Sequence, residues 1–349
     1  MDIKEEDIKN ILVVNLGGIG DLLLSTPALR ALKDHFSCAR IHILVVGRVK
    51  EAIHALPYID TVFVLEIRKP WKHIFSNLKN ILGLRRLRID LAINMRTLVS
   101  AQSARKIKLL FDVINPKISA GRNTQERGGF FDVSISEEDY GDTYERDYDI
   151  QLVERLGVPV RDTCVDFEVD EKSLREVTAI LEAKGIGKTD LIIGIHPGGK
   201  PSRRWPWRNF VQVIEQISGR YGGAFVITGS QDEAGLAEGI SKASNVATVN
   251  LAGKLTLVQL YALIKRCAVY ITNDTGNLHI AASLKTPLVA IFGPGHIKRF
   301  DPRNISPKAA VVYKKVDCAP CNRHSCDSMK CFKDVTVAEI VEAALGFLT

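Results

Sequence analysis

Residues 15–32, "NLGGIGDLLLSTPALRAL", set three glycines and one carboxylate directly after the apolar run Ile11–Val14. Gly17, Gly18 and Gly20 allow close approach to the backbone, and a helix starting here offers unpaired N–H groups. The spacing is not that of a G-x-G-x-x-G dinucleotide turn, and Asp21 puts negative charge where a phosphate would bind. Local sequence leaves two readings of Asp21 open. It is either the N-cap of a tight βα turn or a general base at the edge of a ligand cleft.

Phosphate-type chemistry appears in the second half. In "GIHPGGKPSRRWPWRNF", residues 194–210, Gly198 and Gly199 can present backbone N–H groups, while Lys200, Ser202, Arg203 and Arg204 add donors and charge. Together they suit a diphosphate. Trp205 and Trp207 are expected to pack the following helix. In "ITGSQDEAG", residues 227–235, Asp232 or Glu233 can accept from ribose hydroxyls, or simply start a helix. Asp274-Thr275-Gly276, in "VYITNDTGNLHIAASLKTPLVAIFGP", falls where a strand becomes a helix whose N-terminus can hold a phosphate. His279 lies one turn further on, as a ligand contact or a packed helical histidine.

Cys318, Cys321, Cys326 and Cys331 form a C-x2-C-x4-C-x4-C cluster with His324 inside it, a set that suits structural zinc, an iron–sulfur cluster or free thiols. Cys38, Cys164 and Cys267 read as core residues. Asp147-Tyr148-Asp149 is a D-x-D in a helical segment and reads as surface charge rather than a metal site. Net charge is +7, and residues 67–108 hold eleven Lys or Arg against a single acid, Asp90. Such a block favours an anionic partner, with lipid or sugar ahead of nucleic acid because no RNA-binding aromatic motif accompanies it.

These groups must be carried by a scaffold. Short apolar runs alternate with amphipathic stretches, the pattern of parallel α/β sheets. Strands are predicted at Ile11–Val14, Ile41–Val46, Thr61–Leu65, Leu91–Asn94 and Phe131–Ile135, with helices over Pro27–Phe36 and Thr143–Leu156. A second series follows at Leu191–Ile195, Ala224–Thr228, Thr248–Asn250, Val269–Thr272 and Leu288–Ile291. A charged linker near 160–185 is expected to separate two doubly wound domains, 1–170 and 171–349, with a last helix of about 336–349 folding back toward the first. No apolar run nears the roughly 18 residues of a membrane span. The charged start "MDIKEEDIKN" has no signal or transit pattern, so the expectation is a soluble cytoplasmic protein.

GGIGD, then HPGG with RRWP, then NDTGNLHIAA with PLVAIFGP, occur in an order that resembles glycosyltransferase family 9, the ADP-heptose:lipopolysaccharide heptosyltransferases. The resemblance implies a GT-B fold: two Rossmann-like domains around a deep cleft, acceptor on the N-terminal one and nucleotide-sugar on the C-terminal one. It implies Asp21 as general base, Asp274 on the donor sugar hydroxyls, and Thr275 and Gly276 on the diphosphate, aided by Gly198 and Gly199. It further implies Glu233 on the ribose, and Leu255 and Thr256 at the adenine. Where the family often has Lys two residues before the Trp-Pro pair, this chain has Arg203, a planar fork in place of a compact ammonium.

The implied chemistry is attack of an acceptor hydroxyl on the anomeric carbon, with inversion as the diphosphate leaves. Asp21 would take the proton, and Arg203 with the helix N-terminus would stabilise the leaving group. No metal is required. Arg85, Arg86 and Arg88 would join Gly17, Gly18 and Gly20 in docking a phosphorylated, lipid-linked acceptor at the cytoplasmic face of the inner membrane. Two alternatives stand beside this: a family 9 enzyme with another nucleotide-sugar or acceptor, and a nucleotide- or metal-binding regulator working through the cysteine cluster.

Overall fold

Ile11, Leu12, Val13 and Val14 are apolar in succession, which a strand tolerates when both faces of its sheet are covered, and all four are buried. In the computed structural model, which describes residues 4–67, 70–138, 141–165, 167–321, 323 and 325–349, the chain divides into two units, 1–166 and 167–349. The first holds strands β1 (Asn10–Asn15), β2 (Arg40–Val45), β3 (Thr61–Val64), β4 (Leu91–Asn94), β5 (Ile118–Thr124) and β6 (Val133–Glu137). They form one parallel sheet in the order β3-β2-β1-β4-β5-β6. Its helices are α1 (Ile19–Leu24), α2 (Thr26–His35), α3 (Ile74–Arg86), α4 (Ala101–Ile114) and α5 (Glu145–Arg155).

The second unit repeats the plan. Strands β7 (Ile192–His196), β8 (Ala224–Ile227), β9 (Thr248–Asn250), β10 (Val269–Asn273), β11 (Leu288–Phe292) and β12 (Ala309–Tyr313) lie parallel in the order β12-β11-β10-β7-β8-β9. Helices α6 (Glu171–Glu182), α7 (Trp207–Arg220), α8 (Ala234–Ala243), α9 (Leu257–Arg266), α10 (Gly276–Ser283), α11 (Ile297–Phe300), α12 (Lys330–Lys333) and α13 (Val337–Leu348) surround them. Both sheets have the strand order of a dinucleotide-binding fold, and strand order reverses between β1 and β4 and again between β7 and β10.

Several sequence expectations need revision. β5 and β12 add to the expected strands; β5, "ISAGRNT", has Ile118 as its only large apolar residue, and β12 is an edge strand. β6 begins two residues later than expected, because Phe131 turns inward under Gly121, where an added Cβ would sit 2.3 Å from its ring. The charged stretch expected as linker contains α6, which buries Val177 and Leu181 one turn apart and packs on α9. Cys38 and Cys164 are exposed, and of the three presumed core cysteines only Cys267 is buried. Among the described residues no helix is long and apolar enough to cross a membrane.

The last helix, α13, packs against α7, β10, β11 and β12 within the second unit. Thr336 caps it by accepting from the Glu339 N–H at 3.3 Å, while Glu339 accepts in return from the Thr336 N–H at 3.0 Å. Thr336→Ala is expected to lower unfolding stability by about 1 kcal/mol, read as a drop in the urea midpoint without loss of fold.

Candidate active site

In the first unit the reversal point between β1 and β4 carries Asp21 and a residue the sequence reading missed, Arg96. Gly18 is the N-cap of α1 and Asp21 its third residue, so Asp21 is not the cap itself. Its Oδ2 accepts from the Gly18 N–H at 2.6 Å, and its Oδ1 accepts from Arg96 Nη1 at 2.6 Å. Both oxygens are thus oriented, yet the side chain keeps 18% exposure, enough to meet a ligand. Gly17 is the condition for this: an added Cβ there would lie 2.5 Å from Asp21 Oδ2. The glycine that looked like space for a ligand is space for the carboxylate.

Arg96 opens onto a buried polar cluster. Its Nη1 also reaches Glu145 Oε1 at 2.9 Å, and that oxygen accepts from Arg122 Nη1 at 3.0 Å. Arg122, fully buried on β5, further pairs with Asp149 and lies over the Tyr148 ring at 4.9 Å. Glu137 accepts from Thr97 and Thr124 at 2.9 and 2.5 Å. Ser25 Oγ stands 2.6 Å from Asp149 Oδ2 and is anchored by Asn15 at the end of β1. Asp149 is therefore no surface charge, in contrast to the sequence expectation: two guanidinium groups face Asp21, Glu137, Glu145 and Asp149.

Burial and the neighbouring Glu145 push the Asp149 carboxyl up to about 6, against the pull of Arg122. Because the native state then holds a proton that the unfolded chain has lost, this group favours folding at low pH and its contribution falls as pH rises through that window. Wild type is expected to gain stability relative to Asp149→Asn as pH drops from about 6.5 to about 4, measured by urea unfolding at each pH.

The second unit's reversal point, between β7 and β10, gathers the phosphate-type groups. Asn273, at the end of β10, donates to the Pro197 and Gly198 carbonyls at 2.9 and 3.0 Å and accepts from the Trp205 N–H at 3.1 Å. One side chain thereby fixes the whole turn. Arg203 Nη1 reaches Asp274 Oδ2 at 2.7 Å, and burial raises the Asp274 carboxyl against the pull of Arg203 and Lys200. Thr275 caps α10, accepting from the Asn277 N–H at 3.3 Å, with Gly276 at the first helical position.

Glu233 serves the turn as well. It accepts from the Gly199 N–H at 2.7 Å and the Ser230 N–H at 2.8 Å, and Arg204 lies at 3.5 Å. Burial raises its carboxyl, but His196 and these N–H groups outweigh that and hold it below the usual range. Gly198 must be bare for the contact, since a Cβ would fall 2.4 Å from Glu233 Oε1; Gly199 has φ +118°. Lys200 is exposed beside the turn. Trp205 packs edge-on to Phe210, as expected of it.

Other expected residues stand apart from these centres. His279 is buried edge-on to Phe300, inside α10's packing surface. Thr256 is occupied as the N-cap of α9, with Leu255 half-buried before it. Gly20 is buried within α1. Arg85, Arg86 and Arg88 require a correction. They precede β4, where Asp90 accepts from the Lys9 and Asn10 N–H groups at the start of β1. Asp21 follows the other end of β1, a sheet's length of roughly 15–20 Å away, so these arginines and the glycine turn are not one surface.

Ser202 is buried and donates to the Arg323 carbonyl at 2.6 Å, pinning the cysteine loop rather than facing the turn. Cys318, Cys321, Cys326 and Cys331 line one small cavity with Ser202, and none forms a disulfide. Burial pushes the Cys331 thiol up, while the Ser328 hydroxyl pulls Cys326 down. Among the described residues no three His, Cys, Asp or Glu side chains come together closely enough to hold a metal ion, so the zinc or iron–sulfur alternative for this cluster is unsupported. His324, assigned to that cluster, lies outside the described residues.

Two Rossmann-like units in tandem, each with its polar groups at the strand-order reversal, make up the GT-B fold. Residues 79–332 match glycosyltransferase family 9 (heptosyltransferase), and the chain belongs to that family. It is 25% identical over 338 residues to lipooligosaccharide heptosyltransferase 2 of Campylobacter jejuni, covering 95% of each chain. Its fold is similar to that of the ADP-heptose lps heptosyltransferase II of E. coli, with TM-score 0.76 and 23% identity over 97% of this chain and 98% of that one. It is also similar to the family 9 glycosyl transferase of Veillonella parvula, with TM-score 0.80 and 22% identity over 100% and 98%.

Proposed function

We propose that this glycosyltransferase moves heptose from ADP-heptose onto the inner core of lipopolysaccharide, at Kdo-lipid A or its heptosylated form. The observation that carries the reading is Asp21. It is a partly exposed carboxylate at the strand-order reversal, held by one backbone N–H and one arginine. A base must be fixed within hydrogen-bond reach of the hydroxyl it deprotonates, and a doubly anchored carboxylate meets that need. The hydroxyl oxygen forms its bond to the anomeric carbon as the bond to ADP breaks, giving inversion. Asp21 receives the proton.

The leaving diphosphate gains negative charge, which the α10 N-terminus and Arg203 would meet beside the Gly198–Gly199 turn, whose Gly199 N–H is taken by Glu233. The Arg203 fork has five N–H donors, of which Asp274 engages one nitrogen, so the same side chain can orient Asp274 toward sugar hydroxyls and bind phosphate oxygen. Glu233 holds the Gly199 turn in shape whether or not it also accepts from ribose. The chain acts as a peripheral protein at the cytoplasmic face of the inner membrane, where a lipid-linked acceptor is presented.

Incubation with ADP-heptose and a Kdo-lipid A acceptor tests this directly. ADP release that requires both substrates is the expected result. Release with another nucleotide-sugar but none with ADP-heptose would assign a different donor, and no release with any acceptor would end the reading.

A further inference from the structure

We propose that α3 and the turn before it are the surface by which this protein rests on an anionic lipid bilayer. The helix turns two amides inward beside Ile81 and Leu84, which pack on the core, and leaves its larger apolar residues outside. Asn77 and Asn80 face the protein: Asn77 accepts from the Glu66 N–H at 2.9 Å and donates to the Glu66 carbonyl at 3.0 Å, and Asn80 donates to the Val64 carbonyl at 2.7 Å. These amides hold the β3 end of the sheet, and Leu84 is the one buried residue of the helix. On the other side Ile74, Phe75, Leu78 and Leu82 are 59%, 86%, 53% and 42% exposed, with Trp71 at 69% in the turn before. Offsets of three, four and seven residues keep these side chains on a single outward stripe of the helix. An apolar patch of this composition is not left facing water without a partner.

Charge selects the partner. Lys72, Lys79, Arg85 and Arg86 accompany the stripe, and no acid occurs between Glu66 and Asp90. Trp and Phe with flanking Lys and Arg is the composition of a helix that lies in a membrane interface, the apolar side chains entering the acyl boundary and the cations meeting lipid phosphates. A second copy of the chain is disfavoured as occupant, because a two-fold contact would set these like charges against one another. At 13 residues α3 is about 20 Å long and can lie on a bilayer but not span it.

Topology gives the surface a use. α3 runs from the sheet edge where β3 ends to the edge where β4 begins, so Trp71 and Phe75 stand at the same edge as Asp21. The inference extends the lipid-linked acceptor of the proposed function, but its test needs no acceptor.

The full chain is mixed with vesicles of phosphatidylcholine alone or with about one-third phosphatidylglycerol, sedimented and assayed for bound protein. Binding to the anionic vesicles and a blue shift of Trp71 emission, absent in Trp71→Phe, are expected. Trp71→Ser with Phe75→Ser should weaken that binding by about tenfold or more, while Lys72→Gln with Lys79→Gln should weaken it and reduce its salt dependence. Neither pair should change the thermal midpoint, since the altered side chains are solvent-facing. Undiminished vesicle binding by the Trp71/Phe75 variant would overturn the proposal. So would absence of wild-type binding to the anionic vesicles, and a wild-type dimer that this variant converts to monomer in light scattering would then make a second copy the occupant. Vesicle binding with no heptose transfer would instead remove the proposed function and leave this surface standing.

Discussion

Asp21→Asn is expected to reduce heptose transfer by about 10²- to 10⁴-fold while ADP binding stays at the wild-type level. The amide has the size of the carboxylate but cannot take a proton, so the attacking hydroxyl would have to leave its proton to water. In the proposed reading ADP is held by groups of the other unit, around Gly198–Arg203 and Asp274–Gly276, so its affinity should not register the change. Titration calorimetry with ADP and a single-turnover assay separate the two quantities. Near-normal turnover by the asparagine variant would show that another group is the base. Arg96→Lys sharpens the result: the charge remains but the fork that orients Oδ1 is lost, so a modest fall in kcat at unchanged ADP affinity is expected.

Arg122→Met should strongly destabilise the first unit, costing about 3–5 kcal/mol in urea unfolding. Arg122 is fully buried and pairs with Glu145 and Asp149, with Glu137 at 3.8 Å. Methionine fills similar volume but leaves those carboxylates buried without their cation. The penalty is that of unpaired charge rather than of lost packing. Adding Glu145→Gln and Asp149→Asn should therefore recover part of the loss, whereas a packing defect would not respond. Since Glu145 also holds Arg96, transfer in the single variant should fall beyond what the residual folded fraction explains.

How much of this was legible in the sequence depends on where each residue's signal lies. Runs such as Ile11–Val14 and Leu288–Phe292 announce buried strands because every residue is apolar. Gly-Gly followed by a basic segment announces the turn after β7 because backbone N–H groups and charge are both written locally. Asp21 stood out as a carboxylate after glycines. Arg96 and Arg122 did not, because their meaning comes from partners 49 and 23 residues away, at Glu145. Asp149 was misread for the same reason: in a segment as charged as "ERDYDIQLVER" only tertiary contacts tell a buried acid from a solvated one. Arg85, Arg86 and Arg88 were grouped with the acceptor by charge alone, which carries no information about which end of a strand they occupy. α3 was legible as basic, but not in which way it faces, since the inward roles of Asn77 and Asn80 depend on the backbone of β3.

Gly17 and Gly198 have a bearing on how variation along this chain should be interpreted. Each is kept bare by the carboxylate of another residue, Asp21 in one unit and Glu233 in the other. In a saturation scan both glycines would score as intolerant and could be mistaken for substrate contacts. Their intolerance is conditional. Gly198→Ala should be accepted by the fold once Glu233 is alanine, whereas Gly17→Ala would still lie 2.7 Å from the Cβ of residue 21 and needs Asp21→Gly, so each pair should show strong non-additivity while the cross-pairs add simply. The two positions are bound to their acids as epistatic couples, and a lineage that lost the acid would be released to fill the glycine.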